Sequence, residues 1–197
     1  MTFDPLYHEN TAKDDTALAG LARQRRDECP WGCVVAVEVG AWAGHSTLIL
    51  AELGYTVFAV DHWQGGEGDR IRAIAQLIGI DKGFKTFCEN MGTSLLSSVF
   101  PLRASSELIA SVWPRNRLID LCFIDADHSY NSVLQDIQLW TPLMREGGLL
   151  IGHDYNPICF PGVFQAVNET GPFHQAGDSI WYRSVEGKTS LQATKEL

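Results

Sequence analysis

The 197-residue chain has no lysine-rich tract, no Cys-x-x-Cys pair and no apolar run approaching the roughly 20 residues that span a bilayer. With 24 acidic against 15 basic side chains, the net charge is −9. That leaves no electrostatic footprint for a polyanion, and a nucleic-acid partner is not expected. The five cysteines (Cys29, Cys33, Cys88, Cys122, Cys159) are odd in number and lack metal-site spacing, which argues against structural zinc and a disulfide framework. Met1 to Asn10 has neither a basic nor an apolar leader region, so a soluble cytoplasmic protein without membrane contact is expected. The one basic cluster, Arg23, Arg25 and Arg26, reads as a solvated helix face.

What is present suits one full core. Length and a 45% hydrophobic content point to a single domain over residues 1–197. Residues 1–30 read as a helical lead-in with Leu18 and Leu21 at helical spacing and Pro30 as a stop. Strands are expected at Val34–Val39, Thr56–Val60, Val99–Arg103, Leu118–Ile124 and Leu149–Gly152. Helices are expected at Thr47–Leu53, closed by Gly54, and from Ser129 to about Met144. Residues 65–91, with helical stretches at Ile71–Ile78 and Phe84–Cys88, form an insertion long enough to act as a lid. Ile180–Arg183 reads as a last strand lying antiparallel at the sheet edge. The alternation implies an α/β fold, a doubly wound and mostly parallel sheet in three α/β/α layers.

The segment Val37-Glu38-Val39-Gly40-Ala41-Trp42-Ala43-Gly44-His45-Ser46 is a buried strand breaking into a glycine turn that opens a helix. Dinucleotide folds place G-x-G-x-x-G there, the middle glycine admitting a pyrophosphate. Here Trp42 holds the middle position, which argues against NAD or FAD. Asp61 ends the next strand about twenty residues on, where a carboxylate can accept ribose hydroxyls. The following Trp63 would either lie against an adenine or pack under the next helix.

Two later strands end in ionisable residues: Ile124-Asp125-Ala126-Asp127-His128-Ser129-Tyr130 and Gly152-His153-Asp154-Tyr155. Strand carboxyl ends face the ligand crevice of an open parallel sheet, so these groups converge on the Gly40 loop. Crowded carboxylates and imidazoles call for protons or a cation, and a divalent ion such as Mg2+ suits carboxylate oxygens.

The run I-D-A-D-H-S-Y, a helix with D-I-x-x-W, the G-G turn and G-H-D-Y together resemble the class I S-adenosylmethionine (SAM)-dependent methyltransferases grouped as methyltransferase domain 24. These are related to macrocin-type and mycinamicin-type O-methyltransferases and the cephalosporin hydroxylase-like group. The resemblance covers roughly Val34 to Asn168 and implies a Rossmann-like fold. It implies that the loop of Glu38, Gly40, Ala41, Gly44 and Ser46 cradles the methionine part of SAM. Asp61, with His62 and Trp63, would take the ribose and adenine, Ser105 would contact adenine, and Asp125 would border the cofactor. Asp125 and Asp154 match metal positions of magnesium-dependent members; His153 stands where those carry an acidic residue, and imidazole better suits a transition metal. His128 occupies the place of a catalytic lysine in catechol-type relatives and is the first choice of base, with Asp125 or Asp127 second; the alternative for His128 is a local capping role. The expected activity is O-methylation of a small-molecule hydroxyl. An NAD-linked oxidoreductase and a non-catalytic SAM-binding protein are the alternatives. Aromatics in the N-terminal segment and the tail offer a surface for a homodimer.

Overall fold

The computed structural model describes residues 11–30, 32–64 and 80–186. Seven strands join one sheet: β1 (Val34–Val39), β2 (Tyr55–Asp61), β3 (Val99–Arg103), β4 (Ile119–Ile124), β5 (Met144–Gly152), β6 (His174–Ala176) and β7 (Ile180–Ser184). The helices are α1 (Ala12–Asp27), α2 (His45–Glu52), α3 (Ile80–Met91), α4 (Ser106–Val112), α5 (Tyr130–Trp140) and α6 (Pro161–Glu169). The strand order is β3-β2-β1-β4-β5-β7-β6. β1 to β5 pair in parallel; β7 runs antiparallel to β5, and three-residue β6 lies along its outer side. The chain leaves β1 toward β2 on one side and has β4 on the other, which opens a crevice at their carboxyl ends.

β1 is covered on both faces, and its apolar run is the composition such a strand needs. Alternate residues serve opposite layers. Val34 and Ala36 join Leu18 and Ala22 of α1, Leu50 of α2 and Phe87 and Met91 of α3. Val37 and Val39 join Ala110 of α4, Val133 and Ile137 of α5 and Val163 and Val167 of α6. Glu38 shares the parity of Ala36 and therefore faces α2.

Three expectations change. Arg25 is not a solvated residue: it is buried, with Nη2 3.6 Å from Oδ1 of the fully buried Asp120. The same carboxylate accepts from Arg145 Nε (2.9 Å) and the Val35 N–H (3.0 Å), so it clamps α1, β1 and β5 onto β4. Arg26 donates to the Leu53 carbonyl at 3.0 Å, and Arg23 alone of the cluster is exposed. The helix expected to reach Met144 stops at Trp140, because Pro142 lacks an N–H and only a short 3-10 turn follows. β5 then begins at Met144, ahead of the Gly147-Gly148 pair, with a register shift opposite Ile119 and Leu121. Residues 65–79 of the expected lid and the aromatics of the first ten residues lie outside the described residues. Among the described residues no helix is long and apolar enough to cross a membrane.

Candidate active site

The glycine loop is shaped by protein packing. At Gly40 (φ 94°), an added Cβ would sit 1.9 Å from the Asp125 carbonyl oxygen, so only glycine lets the end of β1 lie against the end of β4. The Asp125 N–H donates to Val39 O at 2.8 Å, and the Gly40 N–H to Val60 O at 2.9 Å, which fixes the loop to both neighbouring strands. Gly44 (φ 85°) caps α2, and a Cβ there would meet Met91 Cε at 2.5 Å. Ala41 is buried beneath the turn.

Glu38 is fully buried and accepts from the hydroxyls of Ser46 and Thr47. Burial pushes its carboxyl up to about 7, against the opposing pull of those two hydrogen bonds. Glu38 and Ser46 thereby tie the first turn of α2 to β1 and set the shape of the loop between them.

Asp61 holds the other side of the crevice. Its Oδ2 accepts the Trp42 N–H at 2.8 Å and its Oδ1 the Trp63 N–H at 2.5 Å, and burial raises its pKa. Trp42 and Trp63 both carry positive φ (38° and 56°), the left-handed region that non-glycine residues occupy at a cost. Of the two places expected for Trp63, the structure shows the packing under the next helix and not the adenine contact. It is fully buried, its indole N–H donates to the Trp42 carbonyl at 2.6 Å, and its ring meets Phe84 and Phe87 of α3 edge-on at 4.7 and 5.2 Å. The positive φ turns this large apolar ring inward and leaves His62, whose side chain is 44% exposed, as the ring at the crevice beside Asp61. Ser105 is exposed beyond β3, its hydroxyl accepting the Leu108 N–H at 3.3 Å as the N-cap of α4.

The ends of β4 and β5 supply the ionisable cluster. His128 Nε2 lies 2.8 Å from Asp154 Oδ2, and Asp154 itself has φ 60°. Burial would raise the Asp154 carboxyl, but the hydrogen bonds to His128 and His153 override it and hold the group well below the usual range. Ligand-type atoms of Asp125, His128 and Asp154 all fall within 4.8 Å of one another. Asp127 stands apart from that trio: its Oδ1 accepts the Ser129 N–H at 2.8 Å at the start of α5.

His153 corrects a second expectation. It is buried, with Nδ1 3.2 Å from Asp154 Oδ1 and 3.6 Å from Asp125 Oδ1, and Nε2 3.4 Å from Asp14 Oδ2. Burial opposes its charge, yet Asp125 and Asp154 dominate and hold its pKa up at about 11. His153 is a counter-ion between carboxylates, and His128 takes its place beside Asp125 and Asp154 as the third potential ligand.

Asp14 was not singled out from sequence. The Thr11-x-x-Asp14 spacing marks a helix start, and Thr11 Oγ1 does accept the Asp14 N–H at 3.2 Å. Nothing local shows that the Asp14 side chain is buried, or that Oδ1 takes the N–H groups of Asp178 (2.8 Å) and Ser179 (2.9 Å) before β7.

Between the two strand ends lies a half-open cleft walled by Asp125, Asp127, His128 and Asp154 on its polar side and by Val133, Val163 and Trp181 on its apolar side. Phe160 covers His128, ring centroids 4.6 Å apart. Residues 37–155, more than half of the chain, match the family model described as Methyltransferase domain (Methyltransf_24). The chain belongs to this methyltransferase family. Membership displaces the NAD-linked reading and agrees with the tryptophan in the glycine loop.

The fold of this methyltransferase is shared with solved structures of low sequence identity. A candidate O-methyltransferase from Klebsiella pneumoniae superposes with a TM-score of 0.65 at 18% identity, covering 95% of this chain and 92% of that one. The ribosomal protein L11 methylase of Lactobacillus delbrueckii subsp. bulgaricus gives 0.57 at 20% identity, over 92% and 83%. CalS11, a TDP-rhamnose 3'-O-methyltransferase of calicheamicin biosynthesis, gives 0.59 at 14%, over 87% and 78%. In sequence, protein R132 of Acanthamoeba polyphaga mimivirus is 38% identical over 66 residues, which is 33% of this chain and 30% of that protein.

Proposed function

We propose that this chain transfers the methyl group of SAM to a hydroxyl oxygen of a small-molecule acceptor. The observation that carries the reading is the His128–Asp154 pair, 2.8 Å apart, in a cleft also lined by Asp125, the residue that the Gly40 loop packs against. SAM would lie along the ends of β1 and β2, its methionine part at the Gly40–Gly44 turn and its ribose at Asp61 with His62 alongside. The acceptor would enter the cleft in front of β4 and β5.

In this reading the hydroxyl oxygen attacks the sulfonium methyl in line. The C–O bond forms as the C–S bond breaks, the bonding pair leaves on sulfur as S-adenosylhomocysteine, and the hydroxyl proton passes to His128. Asp154 orients His128 through the contact at its Nε2. His153 stays cationic behind both carboxylates and limits their mutual repulsion. Asp125, His128 and Asp154 have the donor set of a divalent cation with two oxygens and one nitrogen, and such an ion, when bound, would lower the pKa of the acceptor hydroxyl. The net charge of −9 favours a small acceptor over RNA.

The test separates binding from chemistry. His128→Ala should lower the methyl-transfer rate about 100-fold or more, the contribution of one general base, while SAM affinity stays within a few-fold. Equal losses in rate and in SAM affinity would remove His128 as the base.

A further inference from the structure

The turn at residues 177–179, between β6 and β7, is docked on the first turn of α1 by the Asp14 carboxylate, and Ser179 reaches from there to both residues that flank Asp154. The Ser179 carbonyl accepts the Tyr155 N–H at 2.9 Å, and its Oγ lies 3.1 Å from His153 Nε2 and 3.3 Å from Asp14 Oδ2. A hydroxyl can accept and donate at once, so the imidazolium Nε2–H donates to Oγ while the Oγ–H donates to Asp14. The turn sits tightly on Asp14: a Cβ at Gly177 would lie 2.5 Å from Oδ1, which also accepts the Ser179 N–H at 2.9 Å. Between the two gripped residues Asp154 has φ 60°, a conformation that persists in a non-glycine residue where its surroundings fix it. Two further main-chain bonds hold the segment, from the His153 N–H to the Ile124 carbonyl at 3.1 Å and from the Asn156 N–H to the Asp154 carbonyl at 2.7 Å.

We propose that Ser179 is a positioning residue for methyl transfer: its hydroxyl, held by Asp14, fixes the His153 ring, and His153 fixes the Asp154 carboxylate against His128. The inference rests on the reading of His128 as the base. Asp154 is the link, because its two oxygens are divided between the histidines, Oδ1 3.2 Å from His153 Nδ1 and Oδ2 2.8 Å from His128 Nε2. The terminal torsion of an aspartate is broad, so a neighbour has to set it. If the His153 ring swings, Oδ1 loses its partner and rotation of the carboxylate takes Oδ2 away from His128. Ser179 Oγ meets the ring at Nε2, the nitrogen that faces away from Asp154, and so holds it from behind. Neither Ser179 nor Asp14 lines the cleft, and both act through His153.

The test uses the full chain labelled with 15N-histidine and saturated with S-adenosylhomocysteine. Ring nitrogen shifts are read through the carbon-bound ring protons, and His128→Asn identifies the His128 signals. Asp154 at Nε2 makes that nitrogen the proton carrier in the wild type. Ser179→Ala should move the His128 Nε2 shift toward the tautomer average of a free imidazole. The signals of His45 and His62, on the cofactor side, should stay in place, and S-adenosylhomocysteine affinity should stay within about twofold. Ser179→Thr, which keeps the hydroxyl, should return the His128 signal to its wild-type position. If Ser179→Ala does not fold, Ser179→Cys, with its weaker donor and acceptor, should give the same displacement to a smaller degree. Unmoved His128 nitrogens, a movement shared by all three histidines, or no rescue by threonine would overturn the positioning role and leave His128 as base to the rate measured for His128→Ala. Failure of the wild type to bind S-adenosylhomocysteine would overturn the reading of the crevice as a SAM site instead.

Discussion

Asp14 on the first helix places Oδ2 3.4 Å from Nε2 of His153 at the end of β5, across 139 residues of chain. The lead-in helix is thereby part of the frame of the site. Asp14→Ala would leave the N–H groups of Asp178 and Ser179 without their acceptor and would take one carboxylate away from the His153 imidazolium, whose Nε2 keeps Ser179 Oγ at 3.1 Å. Urea unfolding should show a loss of about 3 kcal/mol or more, as for one partner removed from a buried ion pair. A loss below about 1 kcal/mol would show that Asp14 is dispensable to the frame.

The crowding at Gly40 separates two kinds of glycine. Gly40 and Gly54 both have positive φ, 94° and 88°, but a Cβ at Gly54 meets nothing within 4 Å, whereas at Gly40 it meets the Asp125 carbonyl. Gly54→Ala should cost only backbone strain, about 1–2 kcal/mol, and leave S-adenosylhomocysteine binding unchanged. Gly40→Ala should also displace the end of β4 and weaken that binding more than tenfold. Titration calorimetry on the two variants reads the difference.

Trp63 and His62 should part company in the same way. Trp63→Ala opens a cavity beneath α3 and should destabilise by about 3–5 kcal/mol, visible in thermal unfolding. His62→Ala removes a half-exposed ring, and its effect should fall on cofactor affinity with melting temperature nearly unchanged. A stable Trp63→Ala with lost affinity would return the adenine contact to Trp63.

Glu38 sets a pH dependence of stability. Its folded pKa, about 7, lies above the ordinary 4.5 because burial disfavours the anion. Between those values the folded chain holds a proton that the unfolded chain has released, so this group's contribution falls as pH rises from about 4.5 to 7, by roughly 3 kcal/mol in all. Glu38→Gln cannot titrate. The stability of wild type relative to Glu38→Gln should therefore decline through that window; a constant difference would show that Glu38 ionises normally.

Much of this arrangement is legible from the sequence where local pattern and long-range structure agree. Val99–Arg103 forms the strand its apolar composition announces, and Asp125, His128 and Asp154 converge because a parallel sheet brings the ends of β4 and β5 together. What the sequence does not show is set by packing across the sheet. Arg25 reads like its neighbours Arg23 and Arg26, and only the position of Asp120 on β4 draws it inward. His153 has the residue type of a ligand, and only the three carboxylates around it, one of them from α1, make it a cation. The inward turn of Trp63 depends on a positive φ and on Phe84 and Phe87 near the end of the insertion, neither of which periodicity encodes.

In the proposed function the Gly40 loop and Asp61 form the SAM pocket. Titration of the metal-stripped chain with S-adenosylhomocysteine, alongside NADH and with and without added Mg2+, tests it most directly. One site of micromolar affinity for S-adenosylhomocysteine and no heat with NADH are expected. Absence of S-adenosylhomocysteine binding in both metal conditions would contradict it.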